Sequence, residues 1–265
     1  MKLLPILLLS FLTTLTLAQD KTQYFRSFDR TQIAYTDEGQ GEPVILIHGF
    51  ISSGSSWNNT VLKKELLDQG YRVIVPDLRG NGKSDKPQKA KAYAKDAEVK
   101  DLKRLADHLT LSSYTAIGYS RGSIVLAKLL TKDKRIEKAV LGGMGLDFTN
   151  PDWPRRIQFA DAFSGRAALT KETEGAVNYA KSIGADLKIL GHLQDHQPVT
   201  SIKDLKTVAT KILVIAGGDD HDNGSPVALE EVFLNADLLI IPGDHNNTYK
   251  QANFSEAIMD FLNQQ

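Results

Sequence analysis

Apolar positions along the chain follow two rhythms. Short, nearly continuous runs of Val, Ile, Leu and Ala, most ending at Gly or Asp, occupy residues 44–47, 72–75, 115–119, 138–141, 211–216 and 238–241. Runs of this kind predict strands buried on both faces, the condition of a parallel sheet. Residues 24–28 and 32–36 precede them and read as an opening antiparallel pair. Between the runs, residues 57–68, 93–109, 122–130, 226–234 and 251–262 carry apolar positions at helical spacing. Strands alternating with helices predict an α/β fold, a doubly wound sheet with helices on both faces.

One stretch breaks the alternation. Residues 150–198 show helical patterning and no convincing strand, and open on Pro151-Asp152-Trp153-Pro154, a turn and helix-start signal. This predicts a small helical lid over the sheet, with an ordinary long crossover as the alternative. The division is then an α/β core over 19–149 and 199–265 and a lid insertion over 150–198. Residues 1–18 differ in kind: Lys2, a mostly apolar stretch, then Thr16-Leu17-Ala18. They predict an export signal cleaved near Ala18, so a periplasmic or secreted protein. The stretch falls short of the ~20 apolar residues of a spanning helix and is diluted by Ser10, Thr13, Thr14 and Thr16, so no stable membrane anchor is expected.

Charge and cysteine content narrow the chemistry. Basic and acidic residues number 32 each, so no positive field draws a polyanion and nucleic acid is not an expected partner. The chain has no cysteine, which excludes a thiol nucleophile, a thiolate metal site and disulfide support. Nothing in the pattern specifies an oligomeric state.

The candidate chemistry begins at Gly118-Tyr119-Ser120-Arg121-Gly122, which follows a predicted strand and precedes a predicted helix. In that context the pattern marks a sharp strand-to-helix turn that lifts the Ser120 hydroxyl clear of the backbone. A hydroxyl is a weak nucleophile and needs a base. His245, just past the last strand in Pro242-Gly243-Asp244-His245, is the candidate; His108, His192, His196 and His221 read as surface or packing residues. An acid must fix the imidazole tautomer. Gly217-Gly218-Asp219-Asp220-His221-Asp222 supplies one at a strand exit, with Asp220 preferred and Asp219 or Asp147 as alternatives. The same aspartates read less well as a calcium loop, so no metal is expected. Oxyanion donors are expected from the backbone N–H groups of Arg121 and of Phe50, the latter in the His48-Gly49-Phe50 turn. Phe50, Trp153, Ile157, Phe159, Phe163 and Leu187 are candidate pocket walls.

Together with Pro76-Asp77-Leu78-Arg79-Gly80-Asn81-Gly82-Lys83-Ser84-Asp85, these motifs resemble the α/β-hydrolase superfamily over nearly all of the chain that follows the signal. The resemblance implies an eight-stranded, mostly parallel sheet, a lid between strands six and seven, no cofactor and a structural role for Asp77. Two positions depart from the pattern. Asn81 stands where many members carry histidine, and Arg121 replaces a Met, Leu or Gln. The Arg121 guanidinium is open to two roles, pairing with a lid carboxylate such as Asp152 or binding an acidic substrate group. A serine nucleophile implies acyl transfer on a small, mostly apolar ester or lactone. The alternatives are C–C cleavage, amide cleavage or perhydrolysis with the same residues, or a slow-turnover binding or signalling protein.

Overall fold

A computed structural model of the chain describes residues 21–264; the expected export signal at 1–18 lies outside them. Its elements run β1 (Gln23–Arg26), β2 (Gln32–Glu38), β3 (Pro43–Ile47), α1 (Val61–Asp68), β4 (Arg72–Pro76), α2 (Ala97–His108), β5 (Tyr114–Tyr119), α3 (Arg121–Leu130) and β6 (Ile136–Gly142). Then come α4 (Pro154–Ser164), α5 (Lys171–Ser182), α6 (Leu187–Asp195), α7 (Ile202–Leu205), β7 (Lys211–Gly217), α8 (Pro226–Glu230), β8 (Ala236–Ile241) and α9 (Ala252–Asn263). The strands form one eight-stranded sheet in the order β1-β2-β4-β3-β5-β6-β7-β8. β1 and β2 pair antiparallel, as does β2 with β4; every later pair is parallel.

Both faces of the sheet are buried along the inner strands β3 to β7, which is why these read as continuous apolar runs, whereas the edge strands β1 and β8 are largely exposed. Along β3 the side chains alternate: Ile45 and Ile47 join the core under α2, α3 and α8, while Val44 and Leu46 join the core under α1 and α9. Register sets where the chemistry can sit. Ile47 stands opposite Gly118, Tyr119 opposite Gly142, and Gly217 opposite Ile241. The turns after β3, β5, β7 and β8 therefore emerge together at the carboxyl edge, where open α/β sheets bind ligands.

Between β6 and β7, residues 150–198 hold α4, α5 and α6 and no strand. α4 opens with Pro154 at its first turn and stops at Gly165, whose φ of 68° suits a residue without Cβ. α5 begins with Thr170 and Thr173 capping each other, and Asp186 accepts the N–H groups of Lys188 and Ile189 at the start of α6. Phe163, Val177, Ala180, Ile189, Leu190 and Leu193 form a core of their own.

Three helix boundaries differ from the periodicity. The 57–68 stretch divides into a short 3-10 turn at Gly54–Trp57 and α1, because Thr60 Oγ1 donates to the Trp57 carbonyl (2.8 Å) and accepts the Lys63 N–H (3.3 Å). α2 starts only at Ala97, after Lys95 and Asp96 take φ of 59° and 56°. α8 ends at Glu230. Among the described residues no helix is long and apolar enough to cross a membrane.

Candidate active site

Ser120 sits at φ 54°, ψ −124°, a strained conformation that costs about 1–3 kcal/mol and persists only where its surroundings enforce it. The flanking glycines allow it. A Cβ on Gly118 would lie 2.6 Å from the Gly122 carbonyl carbon, and one on Gly122 would lie 2.2 Å from the Ile47 carbonyl oxygen. The Ser120 N–H donates to Gly142 O at 2.8 Å, and Ser123 Oγ, buried below, lies 2.8 Å from the same carbonyl and 3.0 Å from Gly118 O. The bend is thus pinned to β6.

From β8, His245 reaches across so that Nε2 lies 2.9 Å from Ser120 Oγ. Nδ1 lies 2.7 Å from Asp220 Oδ2. A carboxylate only accepts, so Nδ1 carries the proton and Nε2 is free to take one from the serine. Of the three aspartates considered, Asp220 is the one that meets the ring. The Asp219 side chain is exposed, and Asp147 lies in a 3-10 turn against Gly224. The Asp220 carboxylate is 3% exposed against 19% for the His245 side chain, so the acid is shielded while the ring borders the opening over Ser120. The aspartates do not converge as a cation loop, since Asp220 turns to His245 and Asp222 to Arg155. Among the described residues no group of three or more His, Asp or Glu is placed to hold a metal ion.

The turn after β3 closes the other side. A Cβ on Gly49 would lie 3.4 Å from Ser120 Cβ and 3.9 Å from Oγ, so this backbone runs directly against the serine. The N–H groups of Phe50 and Arg121 find no protein acceptor among the described residues, as expected at a helix start for Arg121. Two such donors beside Ser120 can receive a developing oxyanion. His48 shapes the turn: Nδ1–H donates to Gly49 O (2.8 Å) and Nε2 accepts the Leu78 N–H (3.0 Å). Burial holds its pKa below the ordinary histidine value, so it stays neutral. Asp77 likewise ties loops, accepting the Gly54 and Lys83 N–H groups at 2.7 Å each. Asn81 is buried and donates to the carbonyls of Leu78 and Arg79.

Sequence reading missed two neighbours of His245. Tyr119 OH donates to the His245 carbonyl at 2.8 Å, anchoring the loop; burial raises its phenol pKa, keeping the donor protonated. Asn223 Nδ2 lies 3.3 Å from Nδ1 and 3.4 Å from Gly143 O. With Nδ1–H committed to Asp220, its amide donates to the carbonyl. Tyr119 stood inside the serine motif as its variable position, and Asn223 followed the aspartate run. Neither carried a signal of its own.

A cavity of about 790 Å³ opens over Ser120. Phe50, Trp153 and Phe159 line it, with Ile124 and Met144, and so do Arg121, Arg155, Arg156, Glu172, Gln194 and Gln197. The wall is therefore more polar than the sequence suggested. Phe163 is not part of it: its ring packs at 90° to Phe50 with centroids 5.3 Å apart, inside the helical core. Ile157 is exposed, and Leu187 packs against the same helical core. Arg121 does not meet Asp152. Its Nη2 lies 2.5 Å from Glu98 Oε2 on α2 and its Nη1 donates to Gln197 Oε1 at 3.3 Å. Both members of the ion pair are almost fully buried; burial raises the Glu98 carboxyl pKa, and the guanidinium opposes that rise.

A family model describing the alpha/beta hydrolase fold matches residues 42–185. Among curated proteins, a non-heme chloroperoxidase of Streptomyces lividans is 36% identical over 133 residues, 47% of each chain. A 2-hydroxymuconate semialdehyde hydrolase of a Pseudomonas species is 29% identical over 160 residues, 56% of each. The chain thus spans about half the length of these curated relatives. The crystal structure of a bromoperoxidase from Bacillus anthracis superposes with a TM-score of 0.70 at 27% identity, covering 92% of this chain and 100% of that one.

Proposed function

The chain belongs to the α/β-hydrolase fold family, and from that premise we propose that it is a serine hydrolase cleaving a small carboxylic ester or lactone through an acyl-enzyme. The observation that supports this most is the run of contacts from Ser120 Oγ to His245 Nε2 (2.9 Å) and from Nδ1 to Asp220 (2.7 Å). In the first half-reaction Ser120 Oγ attacks the ester carbonyl as Nε2 takes its proton. The carbonyl oxygen, now negative, receives the Phe50 and Arg121 N–H groups. Asp220 stabilises the imidazolium, which then protonates the departing alcohol. Water enters with His245 again as base, and the acid leaves. Phe50, Phe159, Ile124 and Met144 offer an apolar wall for the carbon chain of the substrate.

A fluorophosphonate tests the nucleophile. The expected result is one adduct per chain on Ser120 by mass spectrometry, absent in Ser120→Ala and strongly slowed in His245→Ala. Steady nitrophenolate release from p-nitrophenyl butyrate should disappear with the same substitutions. No adduct and no release would instead make the protein a non-catalytic binder of this fold.

A second reading draws on the relatives' names. If hydrogen peroxide replaces water at the acyl-enzyme, the products are free Ser120 and a peracid, which oxidises halide. Bromide oxidation that depends on both peroxide and acetate, and on Ser120, would favour this perhydrolase reading.

A further inference from the structure

The cavity over Ser120 has a wall made of donors. Among the described residues that line it, the side chains burying a polar atom with no hydrogen-bond partner are Trp57 (Nε1), Arg121 (Nε), Arg156 (Nε) and Gln197 (Nε2). All four atoms carry N–H and none accepts. The Gln197 amide orientation is fixed, because a guanidinium cannot accept and Gln197 Oε1 therefore faces Arg121 Nη1. Buried polar groups in native proteins are nearly always satisfied, so a wall of unsatisfied donors calls for an acceptor-rich ligand.

Three of these residues are linked. Arg121 Nη1 donates to Gln197 Oε1, the backbone N–H of Gln197 donates to the Gln194 carbonyl, and Arg156 Nη1 donates to that same carbonyl at 3.2 Å. Charge separates the arginines. Arg121 is neutralised by Glu98, and Arg155 pairs with Glu172 and lies 3.6 Å from Asp222. Arg156 has no carboxylate within ion-pair distance among the described residues; its nitrogens meet only the carbonyls of Gln194, Asp195 and Pro151. Exchanging a neutral carbonyl for a carboxylate roughly doubles the strength of such a bond. Arg156 is half-buried and lines the cavity, with its Nε left without a partner.

We infer that Arg156, with Gln197 and Arg121 beside it, forms a carboxylate subsite, so that the substrate is an acidic ester carrying a free carboxylate away from the bond that Ser120 attacks. This rests on the serine hydrolase reading and names its substrate class.

The test compares kcat/KM for monomethyl succinate, glutarate and adipate with methyl butanoate, pentanoate and hexanoate, in which a methyl replaces the carboxylate. At least one half-ester should exceed its neutral partner by about tenfold, mainly through KM. Arg156→Met should collapse that ratio to near unity and Arg156→Lys should restore part of it. Gln197→Leu should lower it independently, should Arg156→Met fold poorly. Glutarate alone, which needs no turnover, should raise the melting temperature of the wild type and not of Arg156→Met. Equal rates for acidic and neutral esters, with no shift by glutarate, would mean that internal water serves these donors, and the subsite falls while the hydrolase reading stands. A glutarate shift lost in Arg156→Met without hydrolysis of any ester would keep the subsite and remove the hydrolase reading.

Discussion

Asp219 and Asp220 are adjacent in sequence and opposite in circumstance. One is exposed; the other is buried against His245 Nδ1. Replacing Asp220 with Asn keeps the shape but offers the ring an amide that can hold the wrong tautomer, so kcat/KM for an ester should fall by about 10²–10⁴-fold. Asp219→Asn should change it by no more than about threefold, since surface substitutions seldom matter. Steady-state kinetics on the two variants decides; equal, small losses would mean that the acid lies elsewhere. That Ser120, Asp220 and His245 meet was readable because each sits in a short motif at a strand end. Tyr119, Asn223, Glu98 and Gln197 were not, because their roles come from partners 22 to 126 positions away.

His48 carries a pH signature of its own. Burial keeps its folded pKa below the unfolded value of about 6.5. Below that value the unfolded chain binds a proton that the folded chain refuses, so this residue's support is complete above about pH 6.5 and declines as pH falls toward the folded value. Urea unfolding should show His48→Asn costing more stability at pH 8 than at pH 5. A cost that is constant or larger at pH 5 would mean that the folded imidazole is charged.

At the scale of an element, the serine bend shows how glycine content becomes geometry. A Cβ on Gly122 meets the Ile47 carbonyl oxygen at 2.2 Å, and both atoms belong to backbone that cannot rotate away. Gly122→Ala should therefore cost more than about 3 kcal/mol of unfolding free energy. Gly175 is the control: it lies exposed within α5 with nothing within 4 Å of an added Cβ, so Gly175→Ala should stabilise by roughly 0.5–1 kcal/mol. Urea midpoints read both, and similar effects at the two sites would undo the steric argument. The inner strands were readable to within about two residues, because burial on both faces leaves little polar interruption, while the exposed β1 ends at Arg26, before the expected Phe28. Helix starts were less so. The cap at Thr60 and the left-handed pair Lys95 and Asp96 impose boundaries that apolar spacing does not encode.

Across the whole molecule, the helices between β6 and β7 carry their own core and touch the sheet domain through few apolar side chains, chiefly Phe50, Ile51 and Tyr93 from the sheet side and Trp153 at the start of α4. Such a unit can open below the free energy of global unfolding. Phe163 tests it, because its ring is buried among those helices and braces Phe50 without lining the cavity. Phe163→Ala should remove about 3–5 kcal/mol of packing, concentrated in that unit. Hydrogen exchange should accelerate over residues 154–195 while β3, β5 and β7 keep their protection, since their side chains belong to the two other cores. The same change should raise KM for an ester more than it lowers kcat, because Ser120, His245 and Asp220 are held by strand ends that the substitution leaves alone. If protection instead fell evenly through sheet and helices, the two would form one cooperative body, and a lid that opens by itself would be the wrong picture of how substrate reaches Ser120.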